Sequence, residues 1–246
     1  MREMKMRSGS MGAALMLSLT MACGSSTPET ESEANTETAE TAPEAEASAE
    51  TEASAEAAPE AEAAEADDTP LAIGGDVRMA ELAMRGVDGE EHTIASVAKE
   101  HGTLVIFTCN HCPYAIAWQD RIVAIAHEFA ERVGTIAINA NDPEEYPIDN
   151  FEGMQARAQE LGMQFPYVVD STSDVARAYG AEKTPEAFLF DAEGHLVYHG
   201  AIDDSREAGD VQEHYLRDAL TALSEGEAIA NAETRSVGCS IKFRES

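Results

Sequence analysis

The chain is poor in basic residues. Its 246 residues include 16 lysines and arginines against 47 aspartates and glutamates, which gives a formal net charge of -31. Nucleic-acid binding requires a basic surface that neutralises phosphates, so this composition excludes nucleic acid as an expected partner. An acidic surface also predicts that a protein partner is neutral or basic where it docks.

Long apolar runs are also missing near the N-terminus, where the stretch from Met11 to Leu19 is too short to span a bilayer. It follows three basic residues, Arg2, Lys5 and Arg7. A basic start followed by a short apolar segment is typical of an export signal. We therefore predict that residues 1–22 direct export.

The end of this signal, Leu19-Thr20-Met21-Ala22-Cys23-Gly24, resembles a bacterial lipoprotein signal. The resemblance implies lipidation of Cys23 and attachment to the periplasmic face of a bacterial membrane. The alternative is simple secretory cleavage after Ala22, because Thr20 and Ala22 also form a small-x-small site.

Basic and aromatic residues are absent from Ser25 to Pro70, a segment made almost entirely of Glu, Ala, Thr, Ser and Pro. Such a segment cannot bury enough apolar surface to offset its chain entropy, and its carboxylates repel one another. We predict a disordered linker over residues 23–70 and a folded domain over residues 71–246.

The folded part alternates strands and helices, which predicts an α/β fold with three layers and a mixed sheet. Thr103 to Thr108 is a continuous apolar run, as expected for a buried strand. The other predicted elements are a hairpin between Met79 and Ile94, helices over 95–100, 116–133, 150–161, 173–179 and 211–224, and strands over 135–139, 166–169, 187–191 and 196–200.

The chain has four cysteines, and two of them form a Cys-x-x-Cys motif, Cys109 and Cys112. The same spacing serves zinc, but a structural zinc site needs four ligands and no second Cys-x-x-Cys exists. We therefore predict no metal and no organic cofactor.

The motif lies where a buried strand ends and a helix begins, and a helix N-terminus stabilises a thiolate. We predict that Cys109 occupies an exposed first-turn position and attacks, while Cys112 resolves the mixed disulfide. A protonated His111 would further stabilise the Cys109 thiolate; the alternative for His111 is an exposed residue without effect.

Thr184-Pro185 precedes an apolar strand about seventy residues after the cysteines. An X-Pro bond is the linkage in which a cis peptide is cheap. A cis Pro185 would expose the backbone of Thr184 to pair with an extended substrate. The alternative is a trans proline that begins the strand.

Two further residues have two interpretations each. Cys239 is either a third redox thiol that receives the disulfide or an ordinary buried cysteine. Trp118 either lines a substrate surface or packs the helix. The strand before the motif carries no acidic residue that could assist proton transfer, so His111 or water would serve.

The order of elements resembles the thioredoxin-like redoxins, and local motifs resemble the peroxiredoxin-like branch of the alkyl hydroperoxide reductase and thiol-specific antioxidant (AhpC/TSA) group. These motifs are Phe107-Thr108-Cys109-Asn110-His111-Cys112-Pro113-Tyr114, Asn141-Asp142-Pro143, Tyr146-Pro147, Phe165-Pro166-Tyr167, Tyr179-Gly180-Ala181, Phe188-Leu189-Phe190-Asp191, Ile202-Asp203-Asp204 and Gly238-Cys239-Ser240-Ile241-Lys242. The resemblance implies a thioredoxin fold.

Peroxidases of this group carry a proline and a threonine seven and three residues before the reactive cysteine. Counting back from Cys112 gives Val105 and Cys109, and counting back from Cys109 gives Gly102 and Ile106. Neither frame supplies the donors that polarise a peroxide.

We therefore predict a thiol-disulfide oxidoreductase that acts outside the cytoplasm on protein or small-molecule thiols and disulfides. The alternatives are a thiol-dependent peroxidase and a noncatalytic binding module of the same fold.

Overall fold

The computed structural model describes residues 69–245. The predicted export signal, Cys23 and all but the last two residues of the predicted linker lie outside the described residues. Among the residues it describes, no helix combines the length and the apolar character needed to cross a membrane.

The described part is an α/β domain built on a mixed sheet. Its strands are β1 (Met84–Gly86), β2 (Glu91–His92), β3 (Thr103–Phe107), β4 (Gly134–Asn139), β5 (Tyr167–Val169), β6 (Lys183–Thr184), β7 (Glu186–Phe190), β8 (Leu196–Gly200) and β9 (Cys239–Ser240). Its helices are α1 (Pro113–Phe129), α2 (Phe151–Leu161), α3 (Asp174–Tyr179) and α4 (Tyr215–Glu225), with short 3₁₀ helices at Ala95–Val97, Pro147–Asp149 and Ala208–Asp210.

Seven of these strands form one sheet in the order β2-β1-β5-β4-β3-β7-β8, and β6 pairs with β9 in a separate two-stranded sheet. Strand β3 lies near the middle, parallel to β4 and antiparallel to β7. Every residue of β3 is buried, which confirms the buried strand predicted from its apolar run.

The sheet has an apolar cluster on each face, so the fold has three layers. On one face, Leu104 and Ile106 pack with α1 and α4, and α2 packs nearby against Ala137 of β4. On the other face, Val105 and Phe107 pack with α3. This is the three-layer arrangement with a mixed sheet that the alternation of elements predicts.

Several predicted boundaries shift. Helix α1 ends at Phe129 instead of reaching Val133, and α4 begins at Tyr215 instead of residue 211. The segment predicted as a helix over 95–100 is a single 3₁₀ turn. The start of α2 agrees well, because Asn150 is its N-cap and its side chain accepts a hydrogen bond from the backbone N–H of Gly153.

Candidate functional site

The two motif cysteines follow β3 directly and lie in front of α1. Cys112 is the N-cap of α1, and Pro113 is the first helical residue. Cys109 lies three residues earlier and is only 5% exposed, while Cys112 is fully buried. The prediction that Cys109 occupies an exposed first-turn position is therefore wrong, because proline at the first helical position makes Cys112 the residue at the helix N-terminus.

The two thiols contact each other in a small buried cluster with Ala115, against which Cys239 also packs. All three described cysteines are free thiols. The backbone N–H of Cys239 donates a hydrogen bond to the sulfur of Cys112 at 3.4 Å, and the backbone N–H of Ala115 acts on the same sulfur. The pair is thus placed for direct exchange between a dithiol and a disulfide.

These donors make Cys112 the more acidic thiol. The neighbouring Cys109 thiol, the Cys239 side chain and the backbone N–H groups of Ala115 and Cys239 together outweigh burial and lower the pKa of Cys112 to about 4. One contact acts in the opposite direction: the Cys112 thiol lies 3.2 Å from the carbonyl oxygen of Thr184 and donates to it when protonated. The donors outweigh this contact, because several of them converge on the sulfur.

Cys109 shows the opposite behaviour. The hydrogen bond to Cys112, burial and the negative charge of Asp149 all raise its pKa, against a smaller lowering by Thr184. The hydroxyl of Thr184 lies 3.2 Å from the Cys109 sulfur. The surroundings of the pair therefore favour the proton on Cys109 and the negative charge on Cys112.

A ring nitrogen of His111 lies within 4.8 Å of the Cys109 sulfur, so its action on Cys109 stays a prediction. Its Nδ1 lies 2.5 Å from a carboxylate oxygen of Asp149, and its ring stacks on Tyr146 with centroids 3.7 Å apart. The ring is thus held by an acidic partner, Asp149, whose negative charge raises the pKa of Cys109.

Asp149 is a central residue that the sequence analysis missed. Its buried carboxylate also accepts hydrogen bonds from the backbone N–H groups of Asn110 at 2.6 Å and His111 at 3.2 Å, and from the side-chain amide of Asn141 at 3.2 Å. It therefore fixes the segment between the two cysteines. The local sequence gives little signal for this role, because Asp149 follows other acids in the same loop.

Glu186 is a second buried carboxylate with no predicted role. One oxygen accepts hydrogen bonds from the backbone N–H groups of Glu182 at 2.8 Å and Lys183 at 2.9 Å, and the other lies 2.9 Å from Nε2 of His199. Burial acts to raise its pKa, but His199 and the two N–H groups outweigh burial and lower it. The sequence carries one sign of this role, because Glu186 is a charged residue at the start of an otherwise apolar strand.

The Thr184-Pro185 bond is cis, which decides between the two alternatives that the sequence left open. Thr184 contacts both cysteines, through its hydroxyl and its carbonyl oxygen. Its backbone edge is not open for a substrate in this structure, however, because Thr184 is paired with Cys239 of β9.

Trp118 lies in the core, only 3% exposed. Its indole N–H donates a hydrogen bond to the buried carboxylate of Asp203 at 2.5 Å. This burial corrects the prediction of a substrate-lining residue and favours the packing role, because a side chain with so little exposed surface offers a substrate no contact area.

One group of described residues could hold a metal ion: Cys109, His111 and Asp149 bring a sulfur, a nitrogen and an oxygen within 4.8 Å of one another. Those atoms already hydrogen-bond within the protein, His111 to Asp149 and Cys109 to Thr184. The predicted absence of a metal stays a prediction that elemental analysis can test.

Residues 74–199 match the AhpC/TSA family. The chain belongs to this family. A curated relative is thiol-disulfide oxidoreductase ResA of Halalkalibacterium halodurans, 26% identical over 131 residues, covering 53% of this chain and 69% of the relative. The enzyme of the same name from Geobacillus thermodenitrificans is 23% identical over 133 residues, covering 53% of this chain and 70% of that protein.

Two solved structures are closer in sequence to this AhpC/TSA chain. An uncharacterised conserved protein from Geobacillus kaustophilus is 37% identical, with a TM-score of 0.67 over 72% of this chain and 94% of that chain. A hypothetical protein from Sinorhizobium meliloti is 31% identical, with a TM-score of 0.67 over 72% of this chain and 98% of that chain. The solution structure of an oxidised thioredoxin-like protein, at 19% identity and a TM-score of 0.51 over 62% of this chain and 97% of that chain, shares the fold.

The protein is thus a thioredoxin-like redoxin and an oxidoreductase, which confirms the predicted fold and enzyme class. The roles of the individual site residues remain predictions.

Proposed function

We propose that this protein is an extracytoplasmic thiol-disulfide oxidoreductase that cycles Cys109 and Cys112 between a dithiol and a disulfide. The observation that carries the proposal is the packing of the two cysteines in one buried cluster with Cys112 as the N-cap of α1, a place where the pKa of Cys112 is lowered. A thiolate is the nucleophile in disulfide exchange, so the site keeps one sulfur ready to attack at neutral pH.

In this proposal the two cysteines exchange the roles predicted from sequence. The Cys112 thiolate attacks a sulfur of the substrate disulfide, forming a mixed disulfide and releasing one substrate thiolate. Cys109 then loses its proton and attacks Cys112, which forms the Cys109–Cys112 bond and releases the second substrate thiolate. Once Cys112 is in a mixed disulfide, it carries no charge. Its interaction with Cys109, which raises the pKa of Cys109 in the dithiol, is then lost.

The substrate classes follow from this chemistry and from the relatives. Two relatives carry the name thiol-disulfide oxidoreductase. We propose protein thiols and disulfides as substrates, with a neutral or basic surface at the docking site, because the chain has a formal net charge of -31.

The extracytoplasmic location is supported by the sequence before the domain. The basic and apolar pattern of residues 1–22 resembles an export signal, and Cys23 follows it directly. We propose that a lipid on Cys23 anchors the protein and that the acidic segment 23–70 spaces the domain from the membrane.

Substituting Cys112 tests the exchange reaction. With a small disulfide and excess reduced glutathione, we expect Cys112→Ser to lower the exchange rate at least 100-fold, because no other described thiol has a lowered pKa. Cys23→Ser, a cysteine substitution outside the described domain, should keep the wild-type rate. Undiminished exchange by Cys112→Ser, or one tightly bound metal ion per chain at Cys109, would contradict the proposal.

Peroxide reduction is not proposed, although the family includes peroxidases. The positions seven and three residues before each cysteine hold Gly102, Val105, Ile106 and Cys109 instead of the proline and threonine of the peroxidases. Val105 and Ile106 lie buried in β3. No hydroxyl donor stands at either place to polarise a peroxide, so oxidation by hydrogen peroxide should be slow.

A further inference from the structure

The C-terminal strand β9 occupies the edge that the sequence predicts for a substrate. Strand β9 runs antiparallel to β6, with Cys239 directly opposite Thr184 and Ser240 opposite Lys183. An extended segment added to an exposed strand edge is a common way to bind a peptide. Here the protein's own chain fills that place, with a cysteine at the position opposite Thr184.

The chain around Cys239 is built to lie close against Thr184. A Cβ atom on Gly238 would come 2.1 Å from the carbonyl oxygen of Thr184, so only glycine allows this approach. Backbone hydrogen bonds hold the next residues, from Ile241 to Glu182 at 2.9 Å and from Lys242 to the side chain of Asn141 at 2.7 Å. The placement of Cys239 is therefore specific.

Cys239 also contacts the sulfur of Cys112. Its backbone N–H donates a hydrogen bond to that sulfur at 3.4 Å, and its side chain packs against the buried cluster of Cys109, Cys112 and Ala115. The three described cysteines thus lie in one group. Of these three residues, Cys239 alone is partly exposed, whereas Cys109 and Cys112 are buried.

We propose that Cys239 is a third redox thiol that carries the disulfide between the buried pair and a dithiol protein outside. This inference rests on the proposed function of the pair. In the first step the Cys239 thiolate attacks Cys112 of the oxidised pair, so the Cys112–Cys239 bond forms, the Cys109–Cys112 bond breaks, and Cys109 leaves as a thiolate that takes a proton.

In the second step a thiolate of the partner attacks the more exposed sulfur, Cys239, and releases Cys112. The partner's second thiolate then attacks the partner sulfur that is bonded to Cys239. This forms a disulfide within the partner and releases Cys239. The partner leaves with a disulfide, and its two electrons remain on the protein as thiols. Run in reverse, the same steps pass electrons to a partner disulfide.

Two nearby cations support the attack by Cys239. The pKa of its thiol is raised to about 11 by burial, by the hydrogen bond to Cys112 and by the charge on Cys112, while Lys183 and Lys242 act to lower it. When Cys112 is in a disulfide it carries no charge, and the two lysines then favour the Cys239 thiolate.

Disulfide mapping tests the transfer within the protein. In the full chain with Cys23→Ser, three cysteines remain, and trypsin places Cys109 and Cys112 in peptide 100–121 and Cys239 in peptide 236–242. After mild oxidation, Cys109→Ser should yield these two peptides joined by a Cys112–Cys239 disulfide. Two separate peptides with free thiols would overturn the proposal.

The exchange rate with a protein dithiol tests transfer to the outside. We expect Cys239→Ser to form the Cys109–Cys112 disulfide normally but to oxidise a reduced two-cysteine protein at least tenfold more slowly. Val237→Ala, at an exposed position in the same segment, should keep the wild-type rate. A wild-type rate for Cys239→Ser would overturn this inference alone. If the Cys23→Ser chain, with its other three cysteines intact, formed no disulfide at all, the proposed function itself would be contradicted.

Discussion

Cys112 and Pro113 decide which sulfur carries the negative charge. Proline lacks a backbone N–H and has a fixed φ suited to the first turn, so it commonly occupies the first helical position. Cys112 is therefore the N-cap, and the free N–H of Ala115 faces its sulfur. This signal was present in the sequence, and it favours Cys112 over Cys109 as the thiolate.

The separated pKa values predict how the reduction potential depends on pH. Between about pH 4 and pH 9, the reduced site holds a proton on Cys109 but not on Cys112, since the pKa of Cys112 is about 4 and that of Cys109 is raised above its ordinary value of 9.0. Reduction then takes two electrons and one proton. The potential should fall by about 30 mV for each pH unit, because a tenfold change in the equilibrium constant is about 30 mV for a two-electron couple.

Redox titration against glutathione at several pH values in this range measures that slope. A simple dithiol that takes up two protons serves as the reference, with a slope about twice as large. A slope of that larger size for the protein would mean that Cys112 is protonated in the reduced state.

At the scale of elements, Glu186 holds β6 in place beside the cysteines. Its carboxylate binds the backbone N–H groups of Glu182 and Lys183, and Lys183 and Thr184 form β6. The short strand therefore depends on a side chain from β7 as well as on its pairing with β9.

Removing this carboxylate should destabilise the fold. We expect Glu186→Ala to lower the free energy of unfolding by about 2 kcal/mol at neutral pH, because buried backbone N–H groups lose their acceptor. Glu186→Gln should cost less, since an amide oxygen still accepts. Glu193→Ala removes an exposed carboxylate in the β7–β8 turn and should change stability by less than about 0.5 kcal/mol.

The same substitution has a predicted pH dependence. The pKa of Glu186 is lowered from its ordinary value of 4.5, so its ionised form stabilises the folded state fully above that value and progressively less as the pH falls below it. Urea unfolding of the reduced protein should show a difference between wild type and Glu186→Ala that shrinks in acid. A difference that grows in acid would contradict the assignment.

At the scale of the whole molecule, the chain combines a compact redoxin domain with a long acidic segment before it. Sixteen basic residues against 47 acidic ones leave the protein strongly negative. Such a charge favours solubility and steers basic partners towards the domain, with an effect that salt screens.

The anchor proposed at Cys23 has a direct test. In a bacterial host, the wild-type chain should incorporate a labelled fatty acid and remain with the membrane fraction, because two or more acyl chains give stable anchoring. Cys23→Ser should lose both the label and the membrane association, while Cys239→Ser should keep them. Release of an unlabelled wild-type protein cut after Ala22 would support simple secretion instead.

The sequence by itself determined the features that depend on local pattern. The apolar run of β3, the helical spacing in α1, the Cys-x-x-Cys motif between them and the Thr-Pro before β7 each lie within a few residues, so periodicity and backbone chemistry predict them. These features are sufficient to predict the α/β class and the redox pair, and they make a cis bond at Pro185 one of two alternatives.

Only the tertiary structure decided the environment of the sulfurs. Asp149 is 39 residues from Asn110, and Cys239 is 127 residues from Cys112, yet each pair is joined by a hydrogen bond. No local pattern shows which of many acids is buried or which strand edge the C-terminal segment fills. Because a pKa depends on the charges and donors that folding brings together, the effect of Asp149 on Cys109 and of the Cys239 N–H on Cys112 followed only from contacts between distant parts of the chain.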